Sequence, residues 1–266
     1  MIQYISTIME SLAVSTNNLT KIYNQGKASE VVALNNFNLG VKKGEIYGLL
    51  GGNGAGKTTT VRILTTMIRA TSGNAKVLGY DIITNSREVR QIVGCLPQDA
   101  GLYEEFSAIE NLDFIAQLRG LDSEKRKEQR EELIQLVGLE KRKNDRVETF
   151  SGGMKRRLMI ARSMIGNPEI LFLDEPTAGI DVLVSRKVRE LIKQLAINKK
   201  ITTIVSTHDM IFAERLCDRV GIIRKGKLVA EDTPSAIVEK YGDGGDLEDA
   251  VVHLIGWVGD EEGELA

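Results

Sequence analysis

Only two cysteines, Cys95 and Cys217, occur in the 266 residues, far apart and within apolar segments. That reads as buried thiols in a reducing compartment rather than as a disulfide or a metal pair. No apolar run approaches the length that spans a bilayer. The stretch from Met1 to Glu10 lacks the basic head and long apolar core of a signal peptide. The expectation is a soluble, cytoplasmic chain, with Met9 an alternative start because regular patterning begins only after it. A strong charge is also missing: the formal net charge is −2. It hides an asymmetry. Beyond Gly242 come eight carboxylates (Asp243, Asp246, Glu248, Asp249, Asp260, Glu261, Glu262 and Glu264) and no Lys or Arg. The preceding 241 residues carry 35 basic against 29 acidic groups, too mild and scattered a surplus to argue for nucleic acid. There is no low-complexity tract and no internal repeat. With 42% apolar and 27% charged residues, the chain can bury one large core, or a core with a subdomain.

What is present is an alternation of strand and helix patterns. Residues 12–45 read as short strands and turns, near Thr20 to Tyr23, Val31 to Leu34 and Phe37 to Leu39, which suggests an antiparallel subsheet. Apolar Ile46 to Leu50 precedes a glycine loop and then a helical pattern from Thr59. Ala75 to Gly79 and Val93 to Pro97 read as strands, with a helix from Ser86 to Ile92 between them. Between Ser107 and Gly166 strand signals almost vanish, and Ser107-Ala108-Ile109-Glu110 fits a capping box. Residues 99–167 therefore read as a helical insertion. The core resumes with the strand Ile170 to Leu173, a helix from Val184 to Leu195, the strand Ile201 to Ser206 and a helix from Met210 to Cys217. Two strands (Val220 to Ile223, Lys227 to Val229) and a helix from Pro234 to Tyr241 complete it. Such alternation indicates a mostly parallel, helix-flanked sheet with its ligand crevice at the strand C-terminal ends.

The loop Gly51-Gly52-Asn53-Gly54-Ala55-Gly56-Lys57-Thr58-Thr59 has the phosphate-binding pattern G-x-x-x-x-G-K-[ST] in the strand–loop–helix context it requires. Glycines let successive N–H groups turn inward on a phosphate, and the helix start adds unsatisfied donors and a positive dipole end. Lys57 suits the β- and γ-phosphates, and Thr58 offers a hydroxyl to Mg²⁺. A glycine-rich helix cap is the bland alternative, but the flanking strand and helix favour a nucleoside-triphosphate site. Four apolar residues then deliver Asp174 and Glu175 to the same sheet edge. Alone they would be two acids at a loop start. Beside a phosphate loop, Asp174 reads as the outer metal ligand and Glu175 as the group that polarises a water. Ser151-Gly152-Gly153 opens a helix as a second anion nest, although an isolated S-G-G is usually just a flexible N-cap. Tyr23 could stack on a base or simply pack in a strand.

Taken together these stretches resemble the nucleotide-binding domain of the ATP-binding cassette (ABC) family over roughly residues 12–255. Gly51 to Thr58 resembles the Walker A loop, Ser151-Gly152-Gly153 the signature motif, and Ile170 to Glu175 the Walker B strand with its catalytic glutamate. Gln98 fits the Q-loop, Ala178-Gly179-Ile180-Asp181 the D-loop, His208 the switch histidine and Tyr23 the adenine-stacking aromatic. The resemblance implies an α/β P-loop NTPase (RecA-like) fold with a mostly parallel sheet, an N-terminal antiparallel β-subsheet and an inserted α-helical subdomain. It implies one domain over 1–266, with core segments 12–98 and 168–241, helical subdomain 99–167 and acidic tail 242–266. ATP and Mg²⁺ are the implied cofactors, with Thr58, Gln98 and Asp174 at the metal and Glu175, His208 and Gln98 catalytic. Two copies would pack head to tail, each clamping ATP between its own Walker A loop and the partner's Ser151 turn, with Asp181 crossing the interface.

Some positions depart from the family pattern. Gly52 stands where proline is common, Phe150 replaces leucine and Met154 replaces glutamine. Ser151-Gly152-Gly153-Met154 with basic residues after it resembles the subfamily of drug- and lipid-type exporters whose membrane part is a separate polypeptide. The tail from Asp246 to Gly256 is similar to that subfamily's C-terminal helix, with His253 read as structural. The expected protein is thus an ATPase subunit, peripheral on the cytoplasmic membrane face, under a separate permease and without nucleic acid. A soluble ABC ATPase of translation or DNA maintenance would resemble tandem cassettes or carry a long coiled coil, and neither pattern is here. A regulator that binds without hydrolysing would lack the acid at Glu175.

Overall fold

The computed structural model describes residues 12–256. The alternative start at Met9 and the tail carboxylates Asp260, Glu261, Glu262 and Glu264 lie outside the described residues. The chain opens with β1 (Leu12–Tyr23), β2 (Val31–Phe37) and β3 (Gly40–Lys42), then enters β4 (Ile46–Leu50), which feeds helix α1 (Lys57–Leu64). Next come β5 (Ser72–Val77), β6 (Tyr80–Asp81), α2 (Ser86–Ile92) and β7 (Val93–Leu96). Three helices, α3 (Ala108–Leu118), α4 (Ser123–Leu136) and α5 (Gly152–Ser163), separate β7 from β8 (Ile170–Asp174). The remainder is α6 (Val182–Lys199), β9 (Thr202–Thr207), α7 (Met210–Leu216), β10 (Arg219–Arg224), β11 (Lys227–Asp232), α8 (Pro234–Tyr241) and α9 (Leu247–Ile255).

Two sheets result. The larger runs β11-β10-β4-β9-β8-β7, parallel throughout except for its antiparallel edge β11. The second joins β1, β2, β3, β5 and β6 by antiparallel pairings alone. The mostly parallel core and the N-terminal antiparallel subsheet are both present. Strand β1 is longer than the segment expected around Thr20. Its polar middle, Ser15 to Asn18, and register shifts around Thr20 and Lys21 interrupt the alternation that marks a strand in sequence. Helix α6 begins at Val182 rather than Val184, because the Asp181 carboxylate caps it. The Ser107–Glu110 capping box forms at the start of α3. No helix of the described residues is long and apolar enough to cross a membrane.

Parity along the central strands positions the chemistry. In β8, Leu171 and Leu173 belong to a core shared with α3–α7, while Ile170 and Phe172 join a second core with α1 and the antiparallel sheet. Side chains alternate faces along a strand, so Asp174 continues the Ile170–Phe172 row toward α1. Strand β4 obeys the same rule: Tyr47 and Leu49 face α1, Ile46 and Leu50 the other core. A strand buried on both faces needs apolar residues at nearly every position. Its polar function can therefore begin only where the strand ends.

Candidate functional site

Strand β4 stops at Leu50 and the chain turns through Gly51 to Gly56 into α1. At Gly56 φ is 117°, and a Cβ there would stand 2.6 Å from the Ala33 carbonyl oxygen. Only glycine fits this left-handed approach to β2. Lys57 is buried, and its ammonium donates to the carbonyls of Gly51 at 2.6 Å and Gly52 at 3.1 Å. Its remaining contact is Glu175, with Oε1 3.6 Å away. The loop bounds a cleft of about 290 Å³ whose walls include Tyr23, Val31, Ala33, Gln98 and Glu175. One face of the Tyr23 ring carries the Lys21 ammonium at 5.0 Å, and its hydroxyl lies 3.5 Å from that of Thr59. Thr58 Oγ1 and Gln98 Oε1 are also 3.5 Å apart, at the ends of α1 and β7 that meet here. A larger cavity of about 610 Å³, near Lys43, Glu169 and Lys200, opens at the N-terminal ends of the strands, away from the loop.

The two carboxylates are held differently. Asp174 is fully buried and accepts the Ser206 hydroxyl. Glu175 takes a left-handed backbone (φ 49°), a strained state for a non-glycine residue. Two contacts pin it there. Its N–H donates to the Ser206 carbonyl at 2.9 Å, and its own carbonyl accepts the Arg156 guanidinium. Arg156 donates as well to the Pro176 carbonyl at 2.6 Å. The result aims the Glu175 carboxylate between Lys57 and His208, whose Nδ1 lies 3.0 Å from Oε2. Thr207 Oγ1 stands 3.4 Å from that same oxygen. A buried carboxylate with a cation on one oxygen and an imidazole on the other can orient and polarise a water beside a phosphate.

Not every sequence candidate gathers here. Ser151, Gly152, Gly153 and Asp181 are absent from the cleft walls. Ser151 caps α5, its hydroxyl accepting from the Met154 N–H at 3.3 Å. Gly152 faces open space, whereas a Cβ on Gly153 would lie 2.6 Å from Val184 Cγ1. The second glycine thus lets α5 and α6 start side by side. Phe150, buried among the α3–α5 residues, anchors the turn from beneath. Asp181 accepts from the Val184 N–H at 3.0 Å. His253 is exposed, 3.6 Å from the Asp243 carboxylate. Both thiols are free, and burial pushes Cys95 up to about 12 and Cys217 higher still, so neither is a nucleophile at neutral pH.

Sequence reasoning missed Arg156, Ser206 and Thr207. A signal for the first exists: an arginine on the buried face of α5, where an apolar residue would otherwise stand. Burial drives the Arg156 guanidinium below its ordinary pKa, opposed by the charges of Asp174 and Glu175. For the two hydroxyls the sequence gives no distinct signal, since β9 (Thr202–Thr207) carries threonines at its start as well as Ser206 and Thr207 at its end.

Comparison with known proteins accounts for this geometry. A family profile described as "ABC transporter" matches residues 34–178. The bacitracin transport ATP-binding protein BcrA of Bacillus licheniformis is 40% identical over 83% of this chain and 70% of its own length. The daunorubicin/doxorubicin resistance ATP-binding protein DrrA of Streptomyces peucetius is 36% identical over 86% of this chain and 68% of its own. Among solved structures, the dimeric post-hydrolysis ATP-binding cassette MJ0796, bound to ADP and Pi, superposes with a TM-score of 0.74 at 28% identity. That match covers 83% of this chain and 98% of the other. With a phosphate loop, a buried glutamate in its cleft and an imidazole against that glutamate, the chain belongs to the ABC transporter family and is one of its ATP-binding, ATP-hydrolysing members.

Proposed function

We propose that this chain powers an exporter whose permease is a separate polypeptide, by hydrolysing ATP in sites shared between two copies. The observation that carries the reading is Glu175, held between Lys57 and His208 at the end of the strand that also presents Asp174. Lys57 and the α1 N-terminus neutralise the phosphates, Tyr23 offers its free face to the base, and Glu175 with His208 orients the attacking water. Among the described residues no group of three or more His, Cys, Asp or Glu could hold a metal by itself. A hydroxyl from Thr58, an amide oxygen from Gln98 and the Asp174 carboxylate instead suit Mg²⁺, a hard ion that keeps substrate phosphates among its ligands. When bound, Mg²⁺ would neutralise charge on the β- and γ-phosphates.

The signature turn lies outside the chain's own cleft, which supports its use on a second copy's nucleotide; the dimeric state of the cassette MJ0796 points the same way. Asp181 would then lie at the interface. For the membrane partner, the support is a half-exposed aromatic cluster just after Gln98. Tyr103 and Phe106 have centroids 5.4 Å apart, and Phe114 stands edge-on at 4.9 Å from Tyr103. A permease helix seated there would hold the chain at the cytoplasmic membrane face and sense Gln98. Export rather than import rests on likeness to the bacitracin and daunorubicin/doxorubicin proteins. Ser151→Arg tests the shared site. Turnover should fall by about a hundredfold or more while the monomer's ATP affinity stays within twofold. Unaffected hydrolysis would break the assignment.

A further inference from the structure

Two apolar features on the nucleotide face have no partner among the described residues. The first is a pair of side chains. Val182 and Leu183, in the first turn of α6, are 85% and 75% exposed, more than any other large hydrophobic of the described residues. Single exposed apolar residues are ordinary; adjacent ones projecting from a capped, rigid helix start are not. The second is a cleft of about 420 Å³ between α7 and α9, walled by Met210, Ile211, Val251, Val252 and Ile255. Its walls are partly open, Ile211 being 55% and Val252 45% exposed. The cleft borders Gly51, Gly52 and His208, so it adjoins the phosphate loop itself.

We infer that Val182 and Leu183 of one copy seat in the α7–α9 cleft of a second copy when the two close on ATP. The inference rests on the shared-site reading proposed above and deepens it by naming a contact outside the phosphates. Three observations select this occupant. The start of α6 abuts the signature turn through Gly153 and Val184, so whatever brings Ser151 to another copy's loop carries Leu183 with it. The cleft stands beside that loop, at Gly51 and Gly52, where the pair would arrive. Charge agrees: Arg186 and Lys187 lie three and four residues beyond Leu183 on α6, while Asp209 and Glu248 rim the cleft. By two-fold symmetry each copy offers one pair and one cleft, giving two identical contacts per dimer. Because His208 lines the cleft, filling it would fix the switch loop in the same event that completes the ATP site.

The test uses full-length chains in two sizes, both carrying Glu175→Gln to hold the ATP state. One bears Leu183→Cys, the other Val252→Cys, and the mixture is mildly oxidised with and without ATP. The native thiols do not compete, being buried or half-buried with raised pKa values. An ATP-dependent mixed disulfide between the two sizes is expected, and Leu183→Glu should weaken ATP-driven association by about tenfold. Sedimentation separates the failures. If ATP produces dimers but no mixed disulfide forms, the seating is wrong and the shared site stands. If ATP produces no dimer, the shared-site reading falls and takes the seating with it. A cross-link that forms only after residues 257–266 are deleted would assign the cleft to the chain's own C-terminal segment and overturn the proposal.

Discussion

Replacing Glu175 by glutamine separates two things the carboxylate does. It faces Lys57 at 3.6 Å, with both side chains only 6% exposed. At an effective dielectric of ~20, unit charges at that distance attract by about 4–5 kcal/mol before desolvation is subtracted. Most of that is not net stability, since burying the charges costs a comparable amount. Removing one partner still leaves Lys57 with only the Gly51 and Gly52 carbonyls for its charge. Glu175→Gln should therefore lower the melting temperature without nucleotide, and ATP should restore more than it does for the parent. Affinity should rise. The γ-phosphate no longer meets a buried carboxylate, and Lys57 no longer has to leave one, so about tenfold tighter ATP binding is expected, or ~1.4 kcal/mol. Turnover should fall by about 10²- to 10⁴-fold, the usual weight of a group that handles the proton. Equilibrium dialysis with labelled ATP and a phosphate-release assay read the two effects independently. Turnover within twofold of the parent, or affinity weaker than the parent, would refute the role.

Two further substitutions probe how the signature helix is set. Gly153→Ala forces a Cβ onto Val184 and should destabilise the chain by about 1–3 kcal/mol, read by urea unfolding. Adding Val184→Ala should recover most of that, and a double variant no better than the single would show that the contact is not the cause. Arg156→Ala leaves the carbonyls of Glu175 and Pro176 without their buried donor. It should lower kcat by about tenfold or more while moving KM for ATP little, with Arg156→Lys recovering part of the loss. An unchanged kcat in Arg156→Ala would remove its positioning role.

The phosphate loop was legible because its chemistry is local: glycine, lysine and threonine at fixed spacing between a strand and a helix. Asp174 was legible for a different reason, since the apolar run of β8 stops at Leu173 and a carboxylate closes the strand. The strained Glu175 backbone was not. Its φ of 49° is imposed by Ser206 and Arg156, which are distant in sequence, and no local pattern encodes a constraint made by three elements. Strand β1 was half-hidden by its bulges, and the early start of α6 by an N-cap that the D-loop resemblance had already claimed for the interface. The packing at Gly153 was not legible either: besides its place in the turn after Ser151, it is where α5 and α6 touch, a contact between segments some thirty residues apart.

That contact bears on how two sites would act together. Helix α5 has Ser151 as its N-cap and Arg156 in its second turn, and the span between them is continuous helix. On the shared-site reading, Ser151 acts on the partner's nucleotide, whereas Arg156 grips the loop that orients this chain's own catalytic carboxylate. A rigid element that touches two sites must report each to the other, because its position is a single variable biased by both ligands. Loss of the γ-phosphate from one site would then loosen Ser151 and, through Arg156, the aim of Glu175 in the other. Tyr23 reaches the same cleft from the antiparallel sheet, its hydroxyl 3.5 Å from that of Thr59. On the proposed reading, base recognition by Tyr23 would add affinity from a different sheet, while the coupling between sites would run through the phosphates.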